Sequence, residues 1–333
     1  MADEQLTLST IAKRFSDEAE AYKFVESIRW PNGPVCPHCG SINHAYFLTP
    51  KDGARKTRTG STSARRVWKC AEKNCRKQFS VLKGSIFEDS KVPLSKWLLA
   101  FHLMCSDKNG TAAYELHRTL NLDRKTAWFL AMRIRFAMQQ EPLASKLAGV
   151  VEVDETYMGG AAKNMHKAER ERRIHGSGAV DKTPVVSLVQ RGGQVRSQVM
   201  HNVTGAKLRQ TLRDQVEPEA RIMSDTFSGY RRVGEDFASH ETVNHLAGEY
   251  VRGDVYTNSA EGYFSQLKRS IDGTHHHVSD RHLWRYLGEF DFRFNTRKMK
   301  DGERTKKAIQ QAGGKRLTYR APAGASESDP DSE

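Results

Sequence analysis

The chain has 333 residues, with 53 Lys and Arg against 40 Asp and Glu, a net charge of +13 and a pI near 9.5. That length accommodates two or three domains with cores of their own, and the basic balance favours a polyanionic partner, nucleic acid ahead of a membrane surface. No apolar run approaches membrane-spanning length and the N-terminus MADEQLTLST lacks the apolar segment of a signal peptide, so the expected location is the cytoplasm.

Residues 1–30 read as an N-terminal helical segment. Leu8, Ile11, Phe15, Ala19, Tyr22, Phe24, Val25 and Ile28 recur at helical spacing. Ser16 is the expected N-cap of a helix beginning Asp17-Glu18-Ala19-Glu20. Residues 31–90 read as a zinc ribbon. Cys36 and Cys39 form a CxxC pair, and Cys70 and Cys75 a looser CxxxxC. Thiolates two to four residues apart on a tight turn can take adjacent corners of a zinc tetrahedron. Without an export signal, paired cysteines point to metal before disulfides, with a redox CxxC as the rival. Strand-like segments flank the second pair (Val67-Trp68-Lys69 and Gln78 to Leu82). The intervening Lys51 to Arg66 is a basic loop suited to phosphates or simply solvated. Cys105 stands alone in an apolar helix and reads as core.

Residues 91–145 turn helical. One helix starts at Pro93-Leu94 and carries Trp97, Leu98, Phe101 and Met104. A shorter one runs from Thr111 to Leu120, and a third from Arg124 to Met138, with Asn121-Leu122-Asp123 between them. Short helix, tight turn and a helix opening Arg-Lys-Thr is the layout of a helix-turn-helix domain, which places Arg124, Lys125 and Thr126 where DNA is reached. A small bundle that only packs is the rival.

Residues 146–300 begin with VEVDETYMGG (Val151 to Gly160), β-branched residues ending at a glycine pair, a buried strand. Asp154 sits inside it, with Glu152 two residues back on the same face. The charged stretch Lys163 to Lys182 reads as an exposed loop or insertion. PVVSLVQ and Val195 to Val203 flank Arg191-Gly192-Gly193-Gln194, a hairpin. A helix capped by Thr204 follows, then a short strand ending in Asp225, a short helix around Phe227, Tyr230 and Val233, a last strand at Thr242 to Asn244, and a helix opened by Tyr256 to Glu261. Strand, strand, strand, helix, strand, helix, strand, helix predicts an α/β, RNase H-like mixed sheet with flanking helices. Residues 301–333 form a C-terminal segment with a disordered acidic tail from Ser326.

A carboxylate in a buried strand is costly unless paired or bound to a cation. Asp154, Asp225 and a third group, Glu261 or Asn258, come from two strands and a helix, which is how a site for two magnesium ions is built. Glu261 follows Asp225 with thirty-five residues between them and is the harder ligand. Asn258, one helical turn earlier, can coordinate through its oxygen or cap the helix. Lys268, two turns beyond Glu261, suits a phosphate, and Arg269 adds charge. The three histidines His275, His276 and His277 read as loop residues near phosphate rather than metal ligands.

VEVDETYMGG, SDTFSGY, YTNSAEGYFSQLKRSIDGTHHHVS and YLGEFDFRFNTRK resemble bacterial insertion-sequence transposases of the ISXO type. So do CPHCG, the second cysteine pair followed by RKQFSVLKGSIFEDS, and the helices from Leu94 to Met138. The resemblance runs roughly from Tyr22 to Arg297 with the blocks in the family's order. It implies a DDE-type core that cleaves DNA and transfers strands with magnesium (or manganese), and that recognises terminal inverted repeats of double-stranded DNA. By block it assigns Asp154 and Asp225 to the first two catalytic positions and the motif Lys to Lys268. The third position in such proteins is Asn or Glu, and both Asn258 and Glu261 are present. A dimer or higher oligomer on DNA is expected, with the protein associated with the nucleoid. The rivals are a nuclease of the same fold, such as a resolvase, and a non-catalytic DNA-binding regulator.

Overall fold

A computed structural model describes residues 5–50, 55–56, 60, 62–139, 145–159, 166–173 and 182–318. The acidic tail from Ser326, half of the basic loop between the cysteine pairs and much of the 163–182 insertion lie outside the described residues. The chain divides into two compact units. The first comprises Met1–Ser106, Ala113–Ala137 and Lys300–Glu333, the second Asp107–Ala112 and Met138–Met299.

In the first unit, α1 (Leu8–Arg14) is capped by Thr7, whose hydroxyl accepts from the Thr10 amide. α2 (Glu18–Arg29) is capped by Asp17, which accepts from the Ala19 amide. Ser16 is not the cap because its hydroxyl donates to the Lys13 carbonyl at the end of α1. β1 (Ala45–Phe47), β4 (Trp68–Cys70) and β5 (Gln78–Phe79) form an antiparallel sheet in the order β1-β4-β5, while β2 (Arg55–Lys56) and β3 (Thr62–Ser63) pair separately. Trp30 meets Trp68 and Phe79 edge-on at 6.3 and 5.7 Å. Glu26 of α2 binds this sheet, accepting from Trp68 Nε1 at 2.9 Å and Arg66 Nε at 2.7 Å.

α3 (Leu94–Ser106) buries Trp97, Leu98, Phe101 and Met104. Its first amides, of Leu94 and Ser95, donate to the Glu18 carboxylate on α2, a cap supplied from a distant element. α4 (Ala113–Leu120) and α5 (Arg124–Met138) are separated by Asn121-Leu122-Asp123. Asn121 takes the left-handed conformation (φ 47°), which its short polar side chain tolerates, and His117 Nδ1 donates to the Leu122 carbonyl, fixing the turn.

In the second unit the sequence expectation of a mixed sheet holds. β6 (Val150–Met158), β7 (Thr183–Gln190) and β8 (Val195–Val199) are successive antiparallel strands, and α6 (Lys167–Arg173) occupies part of the predicted insertion. β9 (Arg221–Asp225) follows α7 (Gly205–Gln215) and pairs parallel with β6; β10 (Ser239–Val243) pairs parallel with β9. The sheet order is therefore β10-β9-β6-β7-β8, with the first strand in the centre. The alternation of β-strand side chains sends Val151, Val153, Val186, Leu188 and Ile222 to one face, where Leu208 and Leu212 of α7 cover them.

The opposite face receives α8 (Asn258–Ser270) and α9 (Asp280–Asn295). Ser197 of β8 donates through its amide and hydroxyl to Asp291 of α9 (2.8 Å each), and Tyr263 of α8 donates to the same carboxyl at 2.6 Å. α8 runs on into a single π-helical turn, Ile271–His275, which holds the first of the three histidines. Where a short helix was expected around Phe227, two 3-10 turns form, Ser228–Tyr230 and Val233–Glu235. The chain then rejoins the first unit through α10 (Asp301–Gln310), whose Thr305 hydroxyl lies 3.3 Å from His102 of α3. No helix among the described residues is long and apolar enough to cross a membrane.

Candidate metal centres

The four cysteines converge. Cys36 Sγ lies 3.8 Å from Cys75 Sγ, Cys39 Sγ lies 3.6 Å from Cys70 Sγ, and all four sulfurs are within 4.8 Å of one another. A tetrahedron with Zn–S bonds of about 2.3 Å has edges of about 3.8 Å, so the sulfurs are spaced for zinc and too far apart for disulfides. The backbone explains the convergence. Each pair sits on a tight turn, closed by Gly40 N–H to the Cys36 carbonyl in one and Cys75 N–H to the Glu72 carbonyl in the other. The residue after each turn is left-handed: Gly40 (φ 75°) in the first and Arg76 (φ 52°) in the second. Buried Cys36 and Cys70 pack with Phe79, Trp30 and Trp68. His44 Nδ1 lies 2.7 Å from Glu72 Oε1.

The second candidate centre lies at one end of the β6–β9 pair. These strands are hydrogen-bonded in register from Val150 opposite Arg221 to Glu152 opposite Met223. Continued two residues, that register brings Asp154, midway along β6, alongside Asp225 at the carboxyl end of β9, beyond the last ladder pair. Asp225 accepts from the Phe227 amide at 3.0 Å, and Asp154 from the Glu155 amide at 2.8 Å. Burial, then Glu155, with further contributions from Asp225 and Glu261, pushes the Asp154 carboxyl from 3.8 up to about 7. Glu155 is likewise pushed up, chiefly by burial and against a 2.7 Å hydrogen bond from Tyr230.

Glu261, in the first turn of α8, is half-exposed and lies 3.3 Å from His245 Nδ1. Asn258 is the first residue of α8 and exposed. It is not the cap: Thr257 holds that place, and its buried hydroxyl has no partner among the described residues. The amides of Ser259 and Ala260 instead donate to Glu152. Lys268 and Arg269 are exposed near the end of the same helix. Among the described residues the four cysteines are the one group of three or more potential ligands within 4.8 Å of one another, so the three acids stand further apart than the sulfurs. In the first unit Arg124 and Lys125 are exposed and Thr126 half-buried at the start of α5, and the Arg124 guanidinium lies 5.2 Å from the Tyr114 ring centroid. Sequence reasoning missed Arg191, His245 and the structural use of Glu152. Their partners are remote: Arg191 and Ser259 stand 39 and 107 residues from Glu152.

Residues 146–295 match the model of the ISXO2-like transposase domain, and residues 16–78 that of the transposase zinc-ribbon domain. The uncharacterized protein in transposable element ISH50 of Halobacterium salinarum is 30% identical over 289 residues, which is 84% of this chain and 92% of that one. A transposase-like protein of Haemophilus influenzae is 27% identical over 107 residues, 32% of this chain and 85% of its own length. The chain belongs to the ISXO2-like transposases, and its cysteine cluster lies in their zinc-ribbon domain.

Two predictions follow from these geometries. Replacing Cys70 by Ser should remove stoichiometric zinc, measured by elemental analysis, and lower the melting temperature of the ribbon to that of chelator-treated wild type. For Asp154 the sign is set by its raised value: folding favours the protonated acid, so its stability contribution is complete below about pH 4 and lost as pH rises through 7. Asp154→Asn should therefore be more stable to unfolding than wild type in EDTA at pH 8, by at most ~4 kcal/mol, the gap widening between about pH 4 and 7 and flat above.

Proposed function

We propose that this chain is an active DNA transposase that binds the terminal inverted repeats of its insertion sequence, cuts there and joins the freed end to target DNA. The observation that carries this reading is the parallel register of β6 and β9, which, continued two residues, brings Asp154 of mid-β6 alongside Asp225 at the end of β9, inside the region matching the transposase domain. The sheet order, with three antiparallel strands followed by two parallel ones, supports an RNase H-like core.

Asp154, Asp225 and Glu261 are the proposed ligands of magnesium, with Asn258 the alternative to Glu261. The donor set fits: hard oxygen ligands suit magnesium, and a carboxyl held up near 7 by burial first and then by its acidic neighbours is relieved by a cation among them. When bound, such ions activate an attacking water or 3′-hydroxyl and stabilise the leaving oxygen. The chain's own residues do the rest. His245 steers the Glu261 carboxylate. Tyr230 holds the Glu155 carboxylate against the protein, away from service as a free ligand. Lys268, on an exposed helix face, takes a DNA phosphate, with Arg269 beside it.

The first unit supplies binding. α4, a three-residue turn and α5 make a helix-turn-helix, with Arg124, Lys125 and Thr126 facing DNA at the start of the recognition helix. The zinc ribbon holds the flanking duplex by charge. Pairs of ends must be brought together, so the protein works as a dimer or larger assembly on double-stranded DNA, in the cytoplasm at the nucleoid.

The test is a strand-transfer assay with full-length protein, a duplex carrying the element's end, a supercoiled plasmid and magnesium. Wild type should give joined products. Asp154→Ala and Asp225→Ala should lose them by at least a hundredfold while binding the end with unchanged affinity. Cleavage without joining would assign a nuclease of the same fold; end binding with neither step, in magnesium or manganese, would assign a regulator. Arg124→Ala with Lys125→Ala should weaken end binding about tenfold or more and reduce its salt dependence.

A further inference from the structure

The acids of the second unit fall into two kinds, and the difference lies on one strand. Glu152 and Asp154 are two residues apart on the same face of β6. Among the described residues Asp154 forms no ion pair, and it is crowded by other acids. Glu152 is completely buried and fully engaged. Its Oε1 accepts from Arg191 Nε at 2.6 Å and Ser259 Oγ at 3.0 Å, and its Oε2 from the amides of Ser259 at 2.8 Å and Ala260 at 3.1 Å.

Arg191 is used just as fully. Besides Glu152, it donates through Nη1 to the Asp254 carbonyl at 2.7 Å and through Nη2 to the Tyr256 carbonyl at 2.8 Å. Its guanidinium lies 3.6 Å from the Tyr256 ring centroid. Arg191 itself is anchored at the end of β7, its amide donating to the Val150 carbonyl on β6 at 3.0 Å. The strand, the approach to the helix and the first turn of α8 are thus tied through one ion pair.

The ordinary capping route is not taken here. Thr257, at the cap position, has a hydroxyl with no partner among the described residues, and the helix amides go to a carboxylate from the sheet. The helix does not need this tie to dock, because Tyr263, Phe264 and Leu267 already bury its middle. A buried ion pair is a poor way to gain stability, since its desolvation cost roughly offsets its attraction. What it does fix is geometry: sliding the first turn of α8 along β6 would break three hydrogen bonds to Glu152 at once.

We infer that Glu152 and Arg191 are positioning residues that lock the first turn of α8, and with it the third metal ligand, in register with Asp154. The inference rests on the acid-site reading above. It holds whether that ligand is Glu261 or Asn258, because both lie on the turn that the clamp grips.

The experiment compares full-length wild type, Glu152→Gln and Arg191→Lys by amide hydrogen exchange and by binding of Mn2+ as the probe ion, followed by electron paramagnetic resonance. The expected result is exchange at least tenfold faster in the segment holding Ser259 and Ala260, with β7 and the cysteine ribbon as protected as in wild type. The Mn2+ midpoint should rise at least tenfold, and affinity for the DNA end should not change. Should Glu152→Gln fail to fold, Arg191→Lys decides by the same readouts: it keeps the charge, but one ammonium cannot replace a planar fork held by three acceptors. Folded variants that bind Mn2+ like wild type, or that keep the α8 turn fully protected, overturn the clamp. A wild-type chain that binds no Mn2+ overturns the acid-site reading and the clamp's ligand-placing role with it, whereas tight wild-type binding with unmoved variants overturns the clamp alone.

Discussion

The buried carboxylate of Glu152 is the constraint on which the second unit turns. A full charge with no exposure survives there because four donors surround it, one of them a guanidinium. Those donors come from the end of a hairpin and from a helix more than a hundred residues further along the chain. Satisfying one group therefore joins three separately formed pieces of the sheet layer. The neighbouring Asp154 is the opposite case: it is buried beside like charges and held near neutrality as a result. One strand face thus carries a carboxylate spent on architecture and one left chemically available, and the distinction rests on neighbours rather than on residue type.

Much of this was legible in the sequence. The strand and helix order of the core followed from β-branched runs, the Arg-Gly-Gly-Gln turn and the Thr204 cap, each a local signal. The four cysteines announced themselves by spacing, because a tight turn fixes where two sulfurs can point. Asp154, Asp225 and the first turn of α8 were also marked, since polar residues at strand ends and helix starts are visible without tertiary information. What was not legible was assembly. Ser16 looked like a cap until its hydroxyl proved committed to the preceding helix, and Asn258 looked like one until Glu152 took the amides. Arg191 reads as a turn residue in sequence. Its role depends on partners whose proximity exists only after the sheet and α8 have met.

The same logic of remote capping recurs in the first unit, where Glu18 on α2 accepts the first amides of α3. Both units use a carboxylate from one element to terminate a helix belonging to another. A local Ser or Thr cap fixes where a helix begins; a remote carboxylate also fixes what it begins against. In the ribbon, Glu26 does comparable work, joining α2 to β4 through Trp68 and to the preceding segment through Arg66.

The first unit is discontinuous in the chain: it is left after Ala137 and completed only from Lys300 onward, by α10 against α3. On the ribosome, the whole second unit is synthesised while the first still lacks its last helix. The buried surface of α3 that α10 covers must wait for some one hundred and sixty intervening residues to emerge. Because domains commonly fold as units during synthesis, the later-starting unit can reach its native state first. A ribosome stalled shortly before residue 300 would hold the acid-bearing sheet complete and the zinc-ribbon unit unfinished. Translation order thus separates the maturation of the part that matches the transposase domain from that of the part that carries the cysteines.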